Sequence, residues 1–201
     1  EDQVGALKQL LDEGVIRYAG ISRVDNAQID TAREMLGDKL VAVQNQFSPS
    51  HPDPEHTMEH CAELGLAFVC WSPLGGFLDA FDQRAYDPFR EVAGNHGCSY
   101  QRVVLAWELS RYERLFTIPS ARNPQEINDS FAATELTLTQ DELAMLNASP
   151  VAAEFRAIRT IGRARFRTII AIRAAAFFVP SVACSLQNRP GNNLHCKMFT
   201  L

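Results

Sequence analysis

Two short apolar runs, each breaking abruptly into polar or glycine residues, constrain this chain more than any other feature. The first is Val43-Gln44-Asn45-Gln46-Phe47-Ser48. The second is Cys70-Trp71-Ser72-Pro73-Leu74-Gly75-Gly76. A helix-patterned segment lies between them. Strand-type runs joined through helices are the sequence form of a parallel α/β sheet, and such sheets hold ligands at the C-terminal ends of their strands. The chemistry of this chain is therefore to be sought where those runs stop.

The alternation runs through residues 1–150. Leu7, Leu10 and Leu11 stand at helical spacing in residues 4–12, and Gly14 follows as a C′ residue. Residues 15–21 read as a strand. Asp25 caps a helix to about Leu36 that Gly37 ends. Residues 40–47 form the next strand, and Pro49, Pro52 and Pro54 stiffen the loop behind it. A helix over 55–64 is stopped by Gly65. Residues 66–71, nearly all apolar, predict a strand buried on both faces.

A long loop from Ser72 to about Asp87 precedes helices over 88–95 and 99–110, the second capped by Ser99. A short strand over 115–119 leads to a helix over 124–136 with proline in its first turn. Thr139-Gln-Asp-Glu142 is a capping box opening a last helix to about Asn147. Four βα units after a leading helix fit either a small doubly wound sheet or half of a (β/α)8 barrel.

Composition narrows the function classes. The chain is 46% hydrophobic and 21% charged, as soluble globular proteins are. Its charge is uneven: residues 1–150 hold 11 Lys/Arg against 23 Asp/Glu, while residues 151–201 hold 8 Lys/Arg and one acid, Glu154. The acidic body offers no basic groove for nucleic acid. The most apolar stretch of the tail, residues 169–184, is interrupted by Arg173 and Pro180 and is too short to span a membrane. Cys61, Cys70, Cys98, Cys184 and Cys196 show no regular spacing, which argues for reduced thiols and a cytoplasmic location. The start, Glu1-Asp2-Gln3, is neither a methionine start nor a signal peptide. In the tail, Arg163-Ala-Arg-Phe-Arg167 alternates while Phe155, Ile158 and Ile161 step by three. The two periods conflict, so the tail reads as a basic, non-native or disordered extension, with a membrane-surface element as the alternative.

Five motifs then stand in order: Gly14-Val-Ile-Arg-Tyr-Ala-Gly-Ile-Ser22, Val43-Gln-Asn45, Trp71-Ser-Pro-Leu-Gly-Gly76, Leu105-Ala-Trp107 and Ile118-Pro-Ser-Ala-Arg122. Over residues 5–148 the chain resembles the aldo-keto reductases. The resemblance implies a TIM (β/α)8 barrel of which strands five to eight are present, with residues 1–150 as its C-terminal half. It also implies reduction of aldehydes and ketones with NADP(H) in preference to NAD(H). The family's catalytic Asp, Tyr, Lys and His come from strands two to four, which would lie before Glu1. No catalytic residue is therefore assigned here. The alternative function is a non-catalytic nucleotide-binding or regulatory module. An open half barrel also predicts self-association.

By the same resemblance, Ser22 and Gln44 hold the nicotinamide carboxamide and Trp71 stacks on the nicotinamide ring. Ser72, Leu74 and Gly75 begin the pyrophosphate loop, and Ser120 and Arg122 take the adenosine end. The residues themselves suit these tasks. A carboxamide both donates and accepts, glycine lets main-chain N–H groups approach an anion, and arginine pairs bidentately with phosphate. Three positions depart from the family: Arg23 stands for asparagine, Glu126 for a basic or amide residue, and Ser130 for asparagine. His51-Pro52-Asp53 follows the Gln44 strand and reads as a loop histidine. Tyr18 within a strand and Lys8 on a helix replace no proton donor. His56 and His60 are four apart but lack a third ligand, so no metal site is assigned.

Overall fold

The computed structural model describes residues 2–53, 55–75 and 83–148. The extension over 151–201, Gly76 and most of the loop from Phe77 lie outside the described residues. Helices α1 (Asp2–Asp12), α2 (Asn26–Leu36), α3 (Thr57–Glu63), α4 (Asp87–His96), α5 (Tyr100–Leu109), α6 (Pro124–Phe131) and α7 (Gln140–Asn147) accompany strands β1 (Ala19–Ser22), β2 (Leu40–Gln46), β3 (Ala67–Trp71) and β4 (Leu115–Thr117).

All strand pairs are parallel and the spatial order is β1-β2-β3-β4. A doubly wound sheet reverses its strand order at a switch point. This one does not, so its winding is that of a barrel.

Local chemistry accounts for the element ends. Gly14 takes φ 71° and donates its N–H to Leu11 O, while Val15 N–H reaches back to Leu10 O. This Schellman closure engages Val15 in ending α1. The strand predicted from residue 15 therefore starts at Ala19, and Tyr18 precedes it. Asp25 and Gln28 form a full capping box on α2, and Thr139 and Glu142 another on α7. Helix α3 begins later than residue 55. The Asp53 carboxylate accepts the N–H groups of Thr57 and Met58 at 3.0 and 2.8 Å, and His56 is left-handed ahead of the first turn.

The core lies between sheet and helices. Ile21, Val43, Phe68 and Cys70 from the strands are fully buried, with Ile29, Cys61, Phe89, Val92 and Val103 from the helices. Phe47, the residue after β2, stacks on Trp107 of α5 at 5.2 Å, and Phe89 of α4 meets that ring edge-on at 5.3 Å. Trp107 Nε1 donates to Asn147 Oδ1 at 2.9 Å, which fastens α7 to α5.

One expectation is corrected. Along β3, Phe68 and Cys70 are buried, but Ala67, Val69 and Trp71 are half-buried. Helices cover one face of the strand, and its alternate side chains lie on the other.

Candidate functional site at the strand ends

The strand registers decide which side chains share that second face. Ser22 lies opposite Gln44, Gln44 opposite Val69, and Gln46 opposite Trp71. Side chains alternate along a strand, so these five residues occupy one face, with Val43, Asn45, Phe68 and Cys70 on the helix-covered face. Ser22, Gln44 and Trp71 are thereby brought together at the C-terminal ends of three adjacent strands.

Their bonding differs. Ser22 is buried, and its Oγ donates to Gln44 O at 2.7 Å. The same carbonyl accepts Arg23 N–H at 3.1 Å. The Ser22 hydroxyl proton is thus committed to the sheet. The Gln44 side chain makes no hydrogen bond among the described residues. Among the described residues, the buried donors Trp71 Nε1 and Gln46 Nε2 have no hydrogen-bond partner. Gln46 escaped the sequence reading, although the period of two from Gln44 points to it. Asn45, on the covered face, clasps the loop after β1: its Nδ2 donates to Val24 O at 2.8 Å, and its Oδ1 accepts Val24 N–H at 3.1 Å.

Two residues at this end of the sheet carry strained backbone. Arg23 after β1 has φ 58° and Ser72 after β3 has φ 52°. A left-handed non-glycine residue costs about 1–2 kcal/mol, and such strain gathers at functional sites. The turn carries the exposed Arg23 guanidinium over the Trp71 ring, 5.9 Å from its centroid. The residue that departs from the family therefore touches the ring expected to stack on a ligand. Gly75 has φ 88°, and its N–H donates to Ser72 O at 3.0 Å, closing the first turn of the loop. Leu74 packs against the hydrophobic core.

The β4 end forms a second group. Ser120 is exposed, and Arg122 lies just before α6. Glu126 Oε2 accepts the Arg122 main-chain N–H at 2.7 Å, and Glu126 Oε1 pairs with Arg122 Nη2 at 2.9 Å. The Arg122 main-chain N–H and guanidinium together hold the Glu126 carboxyl below the usual range, and the carboxylate raises the guanidinium in return. Among the described residues, no hydrogen bond or ring contact joins Ser120 or Arg122 to the β1–β3 group.

Behind the strands lies a group absent from the sequence reading. Glu108 of α5 is fully buried, and among the described residues its carboxylate faces the Cys70 thiol but meets no N–H or hydroxyl donor. Burial pushes its carboxyl well above the ordinary 4.5. The neighbouring Cys70 thiol donates to Phe47 O at 2.9 Å, and burial raises it too, the nearby Glu108 adding to the effect. Burial likewise pushes Cys61 up to about 12. These thiols are therefore poor nucleophiles. His60 Nε2 meets Asp30 Oδ1 at 2.7 Å, and His56 Nδ1 meets Glu59 at 3.3 Å. Lys8 pairs with Asp12 at 2.8 Å, and the exposed Tyr18 ring lies under Lys39.

A parallel sheet wound in barrel order, with polar side chains gathered at its C-terminal strand ends, defines an α/β protein of the TIM-barrel class. The family model for the aldo/keto reductase family matches residues 1–149, and the chain belongs to that family. Pyridoxine 4-dehydrogenase of Escherichia coli (strain K12) is 28% identical over 147 residues, covering 73% of this chain and 49% of the relative. The structure of a thermostable aldo-keto reductase, Tm1743, bound to the inhibitor epalrestat superposes with TM-score 0.64 at 25% identity, over 72% of this chain and 53% of that one. A Bombyx mori aldo-keto reductase solved in complex with NADP shares the fold, with TM-score 0.58 at 22% identity, over 70% of this chain and 47% of its own. The chain spans about half the length of the curated relatives it matches. The family is one of oxidoreductases that bind a nicotinamide cofactor. No helix among the described residues is long and apolar enough to cross a membrane.

Proposed function

We propose that residues 1–150 are the cofactor-binding half of an NAD(P)H-dependent carbonyl reductase, and that this chain binds the dinucleotide without turning over substrate by itself. The observation that carries the proposal is the shared face of Ser22, Gln44, Gln46 and Trp71 at adjoining strand ends, where Gln46 and Trp71 hold buried donors without partners among the described residues. A buried N–H without a partner costs about 1–3 kcal/mol, so a ligand that brings acceptors to this face is favoured. A nicotinamide cofactor, when bound, supplies the hydride for an aldehyde or ketone.

In this reading the residues of the chain bind and orient. Gln44 offers a carboxamide that matches the nicotinamide's own donor and acceptor. Trp71 presents a flat face that shields one side of the ring. Ser72, Leu74 and Gly75 shape the phosphate-side turn, while Ser120 and Arg122 border the adenosine end. Ser22 acts indirectly, by holding the Gln44 main chain in place. The proton for the carbonyl oxygen comes from outside residues 1–150. The preference for NADP(H) that the resemblance implies would need the Arg122 guanidinium free for a 2′-phosphate, and Glu126 already engages it.

Fluorescence titration of the full chain with NADH and NADPH, beside a reductase assay, tests the proposal. Binding that weakens in Gln44→Ala and Trp71→Ala, with no turnover, supports it. Turnover by the chain alone removes the claim that the proton donor lies elsewhere. Absence of binding removes the cofactor role.

The half barrel is part of the same proposal. Val15 and Tyr18 just before β1, and Ile127 and Phe131 on α6, are exposed large apolar residues, and β1 and β4 are the edge strands of the sheet. Self-association through these edges is expected in light scattering, and a monodisperse monomer would count against it.

A further inference from the structure

We propose that Glu126 is a specificity-determining residue: its carboxylate fills the anion-binding end of α6, so the chain accepts a dinucleotide with a free ribose 2′-hydroxyl, NAD(H), over one with a 2′-phosphate, NADP(H). The inference rests on the reading of this chain as a dinucleotide-binding unit.

The start of a helix beside an arginine suits an anion, because N–H groups and the helix dipole both favour negative charge there. Here the protein supplies that anion. Glu126 Oε2 accepts the Arg122 main-chain N–H at 2.7 Å. Glu126 Oε1 accepts Arg122 Nε at 3.2 Å, Arg122 Nη2 at 2.9 Å and Asn123 Nδ2 at 3.2 Å. The Nε/Nη2 edge of the guanidinium, which would grip a phosphate bidentately, is thus engaged by a neighbour four residues on.

A 2′-phosphate brings one and a half to two negative charges. To use Arg122 it must displace the Glu126 carboxylate, which stays tethered one helical turn away. The displaced carboxylate then loses its donors and lies close to a like charge. A 2′-hydroxyl meets no such repulsion and can itself donate to the carboxylate. The plain competitor is a helix cap, since Glu126 sits in the first turn of α6 and Asn123 Oδ1 accepts its N–H at 2.9 Å. A cap alone gives no reason to distinguish ligands that differ at the 2′ position.

The test uses two probes of the adenosine end, 5′-AMP and adenosine 2′,5′-bisphosphate, titrated calorimetrically into the full chain at low salt. The proteins are the unmodified chain, Glu126→Gln, and Glu126→Gln combined with Arg122→Gln. Glutamine keeps an oxygen for the Arg122 N–H and removes the charge. Glu126→Thr, read in the same way, guards against a folding defect. Expected is a preference for 5′-AMP in the unmodified chain, a rise of about tenfold in relative affinity for the bisphosphate in Glu126→Gln, and loss of that gain in the double variant. Tighter bisphosphate binding by the unmodified chain overturns the inference. An equal change for both probes does so too, and leaves Glu126 as a cap. If no protein binds either probe, the dinucleotide reading itself fails, and this inference with it.

Discussion

The ends of β1–β3 and the start of α6 handle their polar groups in opposite ways. At the strand ends, Gln46 Nε2 and Trp71 Nε1 are buried without partners among the described residues, and Arg23 and Ser72 hold left-handed backbone. At α6, Asn123 caps the helix and Glu126 gathers donors from Arg122 and Asn123. The first region is left incomplete by its own chain, and the second completes itself. An incomplete polar region invites a ligand, whereas a complete one selects against any ligand that must displace its internal partner.

The largest effect should come from removing the support beneath the strand ends. Trp107 stacks on Phe47 immediately after β2 and bonds to Asn147. Trp107→Ala should cost about 3–5 kcal/mol, read by urea denaturation. Cofactor binding at the strand ends should disappear with it. Retained stability would show that the two regions do not share one platform.

Glu108 sharpens the comparison, because it too is a buried polar group poorly satisfied by its neighbours, but it lies on the covered side of the same strands. Its folded-state value is raised, so its stabilising protonation is fully present below the ordinary 4.5 and is lost as pH rises from there towards the folded value. Stability should therefore decline with rising pH above the ordinary carboxylate range. Glu108→Leu should flatten that decline and raise stability at neutral pH by about 2 kcal/mol, with ligand binding unchanged. Burial also raises Cys70 and Tyr86 beside it, but both titrate at higher pH. Denaturation midpoints across pH 4–8 check the slope. A flat profile for the unmodified chain would mean that the carboxyl is solvated.

On the open face the same logic gives a different signature. Gln46→Met removes a buried donor without a partner, and should raise stability by about 1 kcal/mol while weakening cofactor binding. A fall in stability would show that the amide already has a protein partner. The smallest effect belongs to the completed region. Asn123→Ala removes a helix cap and should cost about 0.5–1 kcal/mol in thermal unfolding, without changing binding at the strand ends.

Much of the fold was legible because it is local. The Asp25–Gln28 and Thr139–Glu142 boxes, the Ser99 cap and the proline opening α6 each involve residues within one turn of each other. The Arg122–Glu126 pair is also local, at four residues' separation, and the sequence already marked Glu126 as a departure. What it did not show is that the two side chains engage each other.

The sequence by itself determined the elements, their alternation and the polar character of the strand ends, because periodicity and capping act between near neighbours in the chain. The tertiary structure decided what those strand ends do with their polar groups. The Ser22 hydroxyl bonds to a carbonyl 22 residues away, Asn45 clasps a loop 21 residues back, and Arg23 lies over Trp71. Glu108 likewise became a buried carboxyl beside the Cys70 thiol only when α5 packed against the sheet. Strand register and helix packing set these relations, and no local pattern encodes them.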